Sequence, residues 1–230
     1  SVFSDLNNLE DISMEPKYHD ICGISGEELH GYFDEEVERL AADNGQTKEE
    51  AYISLRARYD GYHFCSNVPG IYNPFSVLHA LKNSNYGSYW FSTGTPTYLV
   101  ELLKEQNVDP KLLSGYEATA TELDSIQVRV SNPIAVLYQS GYLTIKGYDR
   151  SVKLYMLDFP NEEVEEGFVN FLIPYYTPIP ETESPSFIGK FVREVRKGQV
   201  EDFMFRLKSL MADTPYEIIK DLENHYQNVM

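Results

Sequence analysis

Ser25-Gly26-Glu27-Glu28-Leu29-His30-Gly31-Tyr32-Phe33-Asp34-Glu35-Glu36-Val37-Glu38-Arg39-Leu40, closed by Asn44-Gly45, is the stretch that sets the fold class of this 230-residue chain. Ser25 and Glu28 have the spacing of a capping box, in which a hydroxyl and a carboxylate satisfy backbone N–H groups left open by the first helical turn. Behind them Leu29, Phe33, Val37 and Leu40 recur at helical spacing, and Asn44-Gly45 is a helix stop. Thr47-Lys48-Glu49-Glu50 repeats the device ahead of Ala51, Tyr52, Leu55 and Tyr59, with Asp60-Gly61 as the stop. Asn73-Pro74 and Thr95-Pro96 each set a capping residue before a proline at the first helical position. The first 125 residues therefore read as a helical region, and the fold class as mainly α.

The pattern changes after it. Asn132-Pro133 opens a short helix through Ile134, Val136 and Leu137, ended by Gly141. Two β-rich runs, 142–148 and 152–159, are joined by Asp149-Arg150-Ser151 and predict a hairpin. A helix starts at Asn161 with Glu162, Glu163, Glu165 and Glu166 near its positive end. Helix, hairpin and helix over 126–176 predict a winged-helix-like unit. Pro174, Pro178, Pro180 and Pro185 predict a break in the helix and a semi-rigid linker over 177–187. Over 188–230 three helices are expected, carrying Ile188, Phe191, Val192 and Val195; then Val200, Phe203, Met204, Leu207, Leu210 and Met211; then Tyr216, Ile219, Leu222 and Tyr226.

Composition limits the function. Asp and Glu number 36 against 19 Lys and Arg, a net charge of −17, while 42% hydrophobic and 13% aromatic residues exclude wholesale disorder. An acidic total argues against a whole-surface nucleic-acid binder. No apolar run reaches the ~20 residues of a membrane span, the first residues are acidic and lack the basic start and apolar run expected of a signal peptide, and a cytoplasmic setting is expected. Cys22 and Cys65 are too few for a disulfide framework. The sequence has no GxxxxGK[ST] phosphate loop and no GxSxG elbow, and His19, His30, His63, His79 and His225 lack zinc-ligand spacing. Glu27-Glu28, Glu49-Glu50 and Glu162-Glu163 are explained as helix starts. No catalytic, cofactor-binding or metal-binding residue is assigned, and the chain itself is not read as an enzyme.

Two features remain. Aromatic residues crowd Tyr59-Asp60-Gly61-Tyr62-His63-Phe64, Tyr72-Asn73-Pro74-Phe75-Ser76 and Tyr89-Trp90-Phe91-Ser92-Thr93-Gly94-Thr95-Pro96. They could stack bases, but with no basic residues interleaved the favoured reading is that they fold inward and lock short helices together. Charge also reverses locally. Residues 190–208 hold six basic and three acidic side chains, against 13 basic and 33 acidic in the rest, whereas residues 1–60 alone hold 15 acidic and 5 basic. Lys190, Arg193, Arg196, Lys197, Arg206 and Lys208 are read as a solvated helix face, with contact to DNA phosphates as the alternative.

The signature YDGYHF…YNPFSVLHALKN…YWFSTGTPTYLVELLK resembles the bacterial (Bacteroides-type) AAA-ATPase-like proteins whose chains end in a PD-(D/E)XK nuclease-like domain. Residues 3–9, 137–148, 159–164, 191–194 and 223–228 are similar to further segments of that family, in order. The resemblance implies a lid-like region (1–125), the winged-helix-like unit, the linker and the opening helices of the nuclease-like domain. It places the ATP- and Mg-binding motifs before Ser1 and the nuclease metal ligands after Met230; at most Glu223 matches an acidic helix residue near such a metal. The implied role is a non-catalytic lid or coupling region whose partners are the ATPase core and the nuclease-like domain. Arg56 and Arg58 are then the candidates for an arginine finger. The alternatives are a winged-helix nucleic-acid-binding module using Arg129, Lys146, Arg150 and Lys153, or a protein-interaction fragment.

Overall fold

The computed structural model describes residues 12–93, 97–106, 113–124, 133–176, 179–180 and 182–213. Thr95-Pro96, Arg129, Asn132, the third helix expected near Pro215, Glu223 and the segment 3–9 lie outside the described residues. The fold class is mainly α with a small β element. The chain divides into two units, Ser1–Glu165 and Glu166–Met230.

In the first unit both capping boxes form. Ser25 and Glu28 cap α1 (Gly26–Tyr32), and Thr47 and Glu50 cap α3 (Lys48–Tyr59). The single helix expected over 26–43 is two. Phe33 leaves helical geometry at φ −124° and ψ 16°, and α2 (Asp34–Asp43) starts afresh behind Asp34, Glu35 and Glu36. Those three carboxylates sit at the positive end of the new helix dipole, which favours the restart. Asn73 caps α4 (Pro74–Asn83), its carboxamide accepting from the Ser76 N–H, with Pro74 at the start where no N–H is needed.

Helices α1 to α4 pack on one another and bury Leu29, Val37, Leu40, Leu55, Tyr59 and Val77. Each fully buried side chain of this kind stabilises by about 1.5–3 kcal/mol relative to exposure. The spacing read from the sequence is thus the spacing of the core.

A second layer of the same unit runs α5 (Thr97–Glu105), β1 (Tyr116–Ala118), α6 (Ala120–Asp124), α7 (Pro133–Gln139), β2 (Thr144–Asp149) and β3 (Leu154–Asp158). The expected hairpin is present as β2 and β3, with a register shift between Ile145 and Gly147. Strand β1 is not predicted from the sequence. It has three residues, below the length at which alternation is legible, and it is fixed only by pairing antiparallel to β3, giving the order β1-β3-β2. Helix α7 packs against α5 and α6 and buries Ile134, Ala135 and Leu137.

Helix α8 (Glu162–Tyr176) begins behind Asn161, whose carboxamide oxygen accepts from the Val164 N–H at 3.1 Å. It runs through Pro174 instead of stopping before it. So close to the helix end, proline removes a single backbone hydrogen bond. In the second unit α9 (Ser184–Arg196) starts within the stretch read as linker, with proline in its first turn, where a missing N–H costs nothing. It packs on α10 (Val200–Asp213).

Candidate functional site

The three aromatic motifs meet the hairpin and the start of α8 within the first unit. The site starts at Asp60, the residue that ends α3, whose carboxylate accepts the Gly61 N–H at 2.6 Å. Gly61 has φ +107°, and a Cβ there would stand 2.1 Å from the Pro160 carbonyl oxygen. Only glycine tolerates both the backbone region and the approach. The turn is braced by antiparallel bridges Tyr62–Ile71 and Ile24–Tyr72, and by the Asn73 N–H donating to the Tyr59 carbonyl at 3.0 Å.

Three side chains close the junction, each onto backbone. The Lys146 ammonium donates to the carbonyls of Gly61 (3.0 Å) and Pro160 (2.9 Å), joining the turn after α3 to the loop before α8. Desolvation at that ammonium pulls its pKa below the ordinary lysine value, opposed by Asp158 and Asp60. The Thr144 hydroxyl accepts the His63 N–H at 2.7 Å and donates to the His63 carbonyl at 2.8 Å, as a strand neighbour would. Glu163, 1% exposed, uses Oε1 to accept the N–H groups of Tyr89 (2.5 Å) and Trp90 (3.0 Å), the start of a short 3-10 helix.

The rest of the junction is aromatic. His63 Nδ1 lies 2.8 Å from the Gly61 carbonyl; since a carbonyl only accepts, Nδ1 carries the proton. Burial first and Lys146 second hold the His63 pKa below the usual histidine value. Trp90 packs edge-on against Tyr142 at 4.6 Å, and the Tyr59 hydroxyl donates to the Gly87 carbonyl at 2.8 Å. Burial raises the Tyr142 and Tyr72 hydroxyls to about 12. Tyr59, Tyr72 and Tyr142 fold inward, with their rings in the core.

The residues singled out from the sequence fall as follows. Lys146, read as a phosphate contact, is spent on the two carbonyls; the extended run around it gives no sign that residue 61 lies opposite. Glu163, read as a helix-start charge, is instead a buried acceptor for a loop. Arg150 and Lys153 are exposed in the hairpin turn, and the Asp149 carboxylate between them and the strand is held by Ser151 through its N–H and hydroxyl. Arg56 is exposed with Nε 3.6 Å from Asp60, and Arg58 donates to Ser88 at 3.2 Å. In the second unit Arg206 makes a bidentate contact to Glu194, while Lys190, Arg193, Arg196, Lys197 and Lys208 are exposed. Among the described residues no three His, Cys, Asp or Glu side chains are grouped to hold a metal ion, and no helix is long and apolar enough to cross a membrane.

These contacts define a mainly α chain whose motif residues bind its own backbone. No family model matches the sequence, and no solved structure matches it. The chain is similar to a protein of Azotobacter chroococcum mcd 1 named "Uncharacterized protein in vnfD 5'region", 35% identical over 182 residues. The match takes in 78% of this chain and 33% of that protein, so the chain spans about a third of the length of the curated relative it matches.

Proposed function

We propose that this chain is a non-catalytic lid or coupling region of a larger AAA-ATPase-like protein with a PD-(D/E)XK nuclease-like domain, working in the cytoplasm. The observation that carries the reading is the junction itself. Lys146, Thr144 and Glu163 all bind backbone atoms and tie α3, the Tyr89–Trp90 loop, the hairpin and the start of α8 into one body. A region built this way transmits displacement and spends its motif side chains on its own backbone. The longer relative agrees with a chain that works beside other domains. ATP and Mg are assigned to the parent's core; the residues here fit neither, and no step is drawn through them. Calorimetry tests the reading: the isolated chain should fold and bind no ATP, and micromolar affinity would overturn it.

A second reading has its own observation. The order α5-β1-α6-α7-β2-β3 with sheet order β1-β3-β2 matches what a winged helix requires, and Arg150 and Lys153 stand exposed in its hairpin turn. It supports a nucleic-acid-binding module. Against it, α7 carries no basic residue and buries most of its length. Gel shifts with duplex DNA decide: a complex weakened by salt and by Arg150→Ala with Lys153→Ala favours this reading.

A further inference from the structure

In the second unit, α9 and α10 form a cleft of about 360 Å³ that sets cations beside an exposed aromatic ring. Its floor is an internal ion pair: Arg206 Nε donates to both Glu194 oxygens, at 3.0 and 3.1 Å, and Glu194 is 7% exposed. Asp202 accepts from the Gln199 carboxamide at 3.3 Å. Lys190 and Arg193 line the same cleft, and Lys197 follows them along α9. At 100° and 1.5 Å per residue, these three fall within about 60° of one another round the helix and about 10 Å along it. All three are exposed, and among the described residues no carboxylate lies within ion-pair distance of them. Phe205 lines the cleft from α10, 75% exposed and flanked by a shallow apolar hollow of Met204, Leu207 and Lys208. Phe205 takes no part in joining the two helices, which is done by Phe191 and Phe203, edge-on at 5.3 Å. Cations beside an exposed ring are what the aromatic motifs of the first unit lack.

We propose that this cleft takes a single strand of nucleic acid, with Phe205 stacking one base and Lys190, Arg193 and Lys197 meeting the phosphates beside it. Aromatic stacking next to a cationic groove is how sequence-tolerant single-strand sites are built, because every base has a π-face and every nucleotide a phosphate. A duplex hides the faces of its bases, so only a single strand engages the ring and the cations together. An acidic peptide answers the charges alone. The chain's net charge of −17 opposes binding over the whole surface and not at one cleft, since residues 190–208 hold six basic side chains against three acidic. The site lies wholly within α9 and α10, so it stands apart from the lid reading and from Arg150 and Lys153 in the hairpin turn.

Fluorescence anisotropy of the full chain with a labelled oligothymidylate of about 12 nucleotides tests this. Binding should appear at about 50 mM salt and weaken as salt rises, with a log–log slope near −2 for three phosphates on a single strand. Phe205→Ala should lower the affinity about 5- to 100-fold, while Phe205→Trp keeps it. Lys190→Gln, Arg193→Gln and Lys197→Gln should each flatten the salt slope by about 0.7. These four side chains are exposed, so circular dichroism should show unchanged helix content in every variant. Arg150→Ala with Lys153→Ala should leave the binding intact, which separates this cleft from the hairpin turn. No binding at low salt would overturn the proposal, as would binding indifferent to Phe205 or equal affinity for a duplex of the same length. Tighter binding of an acidic peptide of matching charge would also overturn it and assign the cleft to a protein partner.

Discussion

Gly61→Ala is expected to remove about 2.5–5 kcal/mol from the unfolding free energy of the first unit. The backbone at φ +107° costs a residue with a Cβ about 1–2 kcal/mol. The new methyl would stand 2.1 Å from the Pro160 carbonyl oxygen, so that carbonyl must retreat from the turn. Retreat breaks its 2.9 Å bond from the Lys146 ammonium, a charge-assisted bond worth about 1.5–3 kcal/mol. The sum is a large part of the roughly 5–15 kcal/mol that holds a domain together. Urea unfolding followed by fluorescence measures it, because the chain's single tryptophan, Trp90, packs at this junction. Two glycines separate the contributions. Gly45→Ala has φ +65° and open space around it, so only the backbone cost of about 1–2 kcal/mol should appear. Gly26→Ala, in open space at the start of α1, should be neutral or stabilising by up to about 1 kcal/mol. In a Lys146→Met background the Gly61→Ala loss should shrink, since the bond it breaks is already gone. A Gly61→Ala loss no larger than that of Gly45→Ala would refute the reasoning.

Three further outcomes follow from the same junction. Glu163→Ala leaves two backbone N–H groups without their acceptor and should cost about 2–4 kcal/mol, whereas Glu163→Gln keeps one acceptor oxygen and should cost clearly less; equal denaturant midpoints for the two would contradict the assigned role. Thr144→Val removes both bonds to His63 and should cost about 1–3 kcal/mol, with Thr144→Ser retaining most of the stability in the same assay. Because the His63 pKa is lowered on folding, the unfolded chain binds more protons in the window below its ordinary value of about 6.5, so acidification through that window destabilises the fold. Between about pH 7.5 and 5.5 the parent should therefore lose more stability than His63→Asn, and parallel stability curves would contradict this.

The helices were legible because their signals are local. Ser25 with Glu28, and Thr47 with Glu50, lie three residues apart, and the capping contacts they predict are the contacts present. Leu29, Val37, Leu40 and Leu55 sit in the core because helical periodicity alone fixes which side chains share a face. The hairpin could be read from two β-rich runs and a polar turn. Phe33 broke one expected helix into two, and Pro174 failed to break another, because apolar periodicity does not register a restart favoured by the acidic run 34–36 or a proline so near a helix end that it removes a single hydrogen bond. Residue type gave no warning that Glu163 is buried, since a glutamate at a helix start has the same local pattern whether it meets water or a loop.

The sequence by itself determined the mainly α class, the caps, most of the core and the acidic balance of the first helices, all properties of residues within a few positions of one another. Only the tertiary structure decided that β1 completes the sheet, that Lys146 reaches residue 61, and that Glu163 holds residues 89 and 90. Those contacts join positions about 40 to 85 apart in the chain. Such pairings leave no periodic trace, because the partner of each side chain is a backbone carbonyl or N–H, a group that nearly every residue carries.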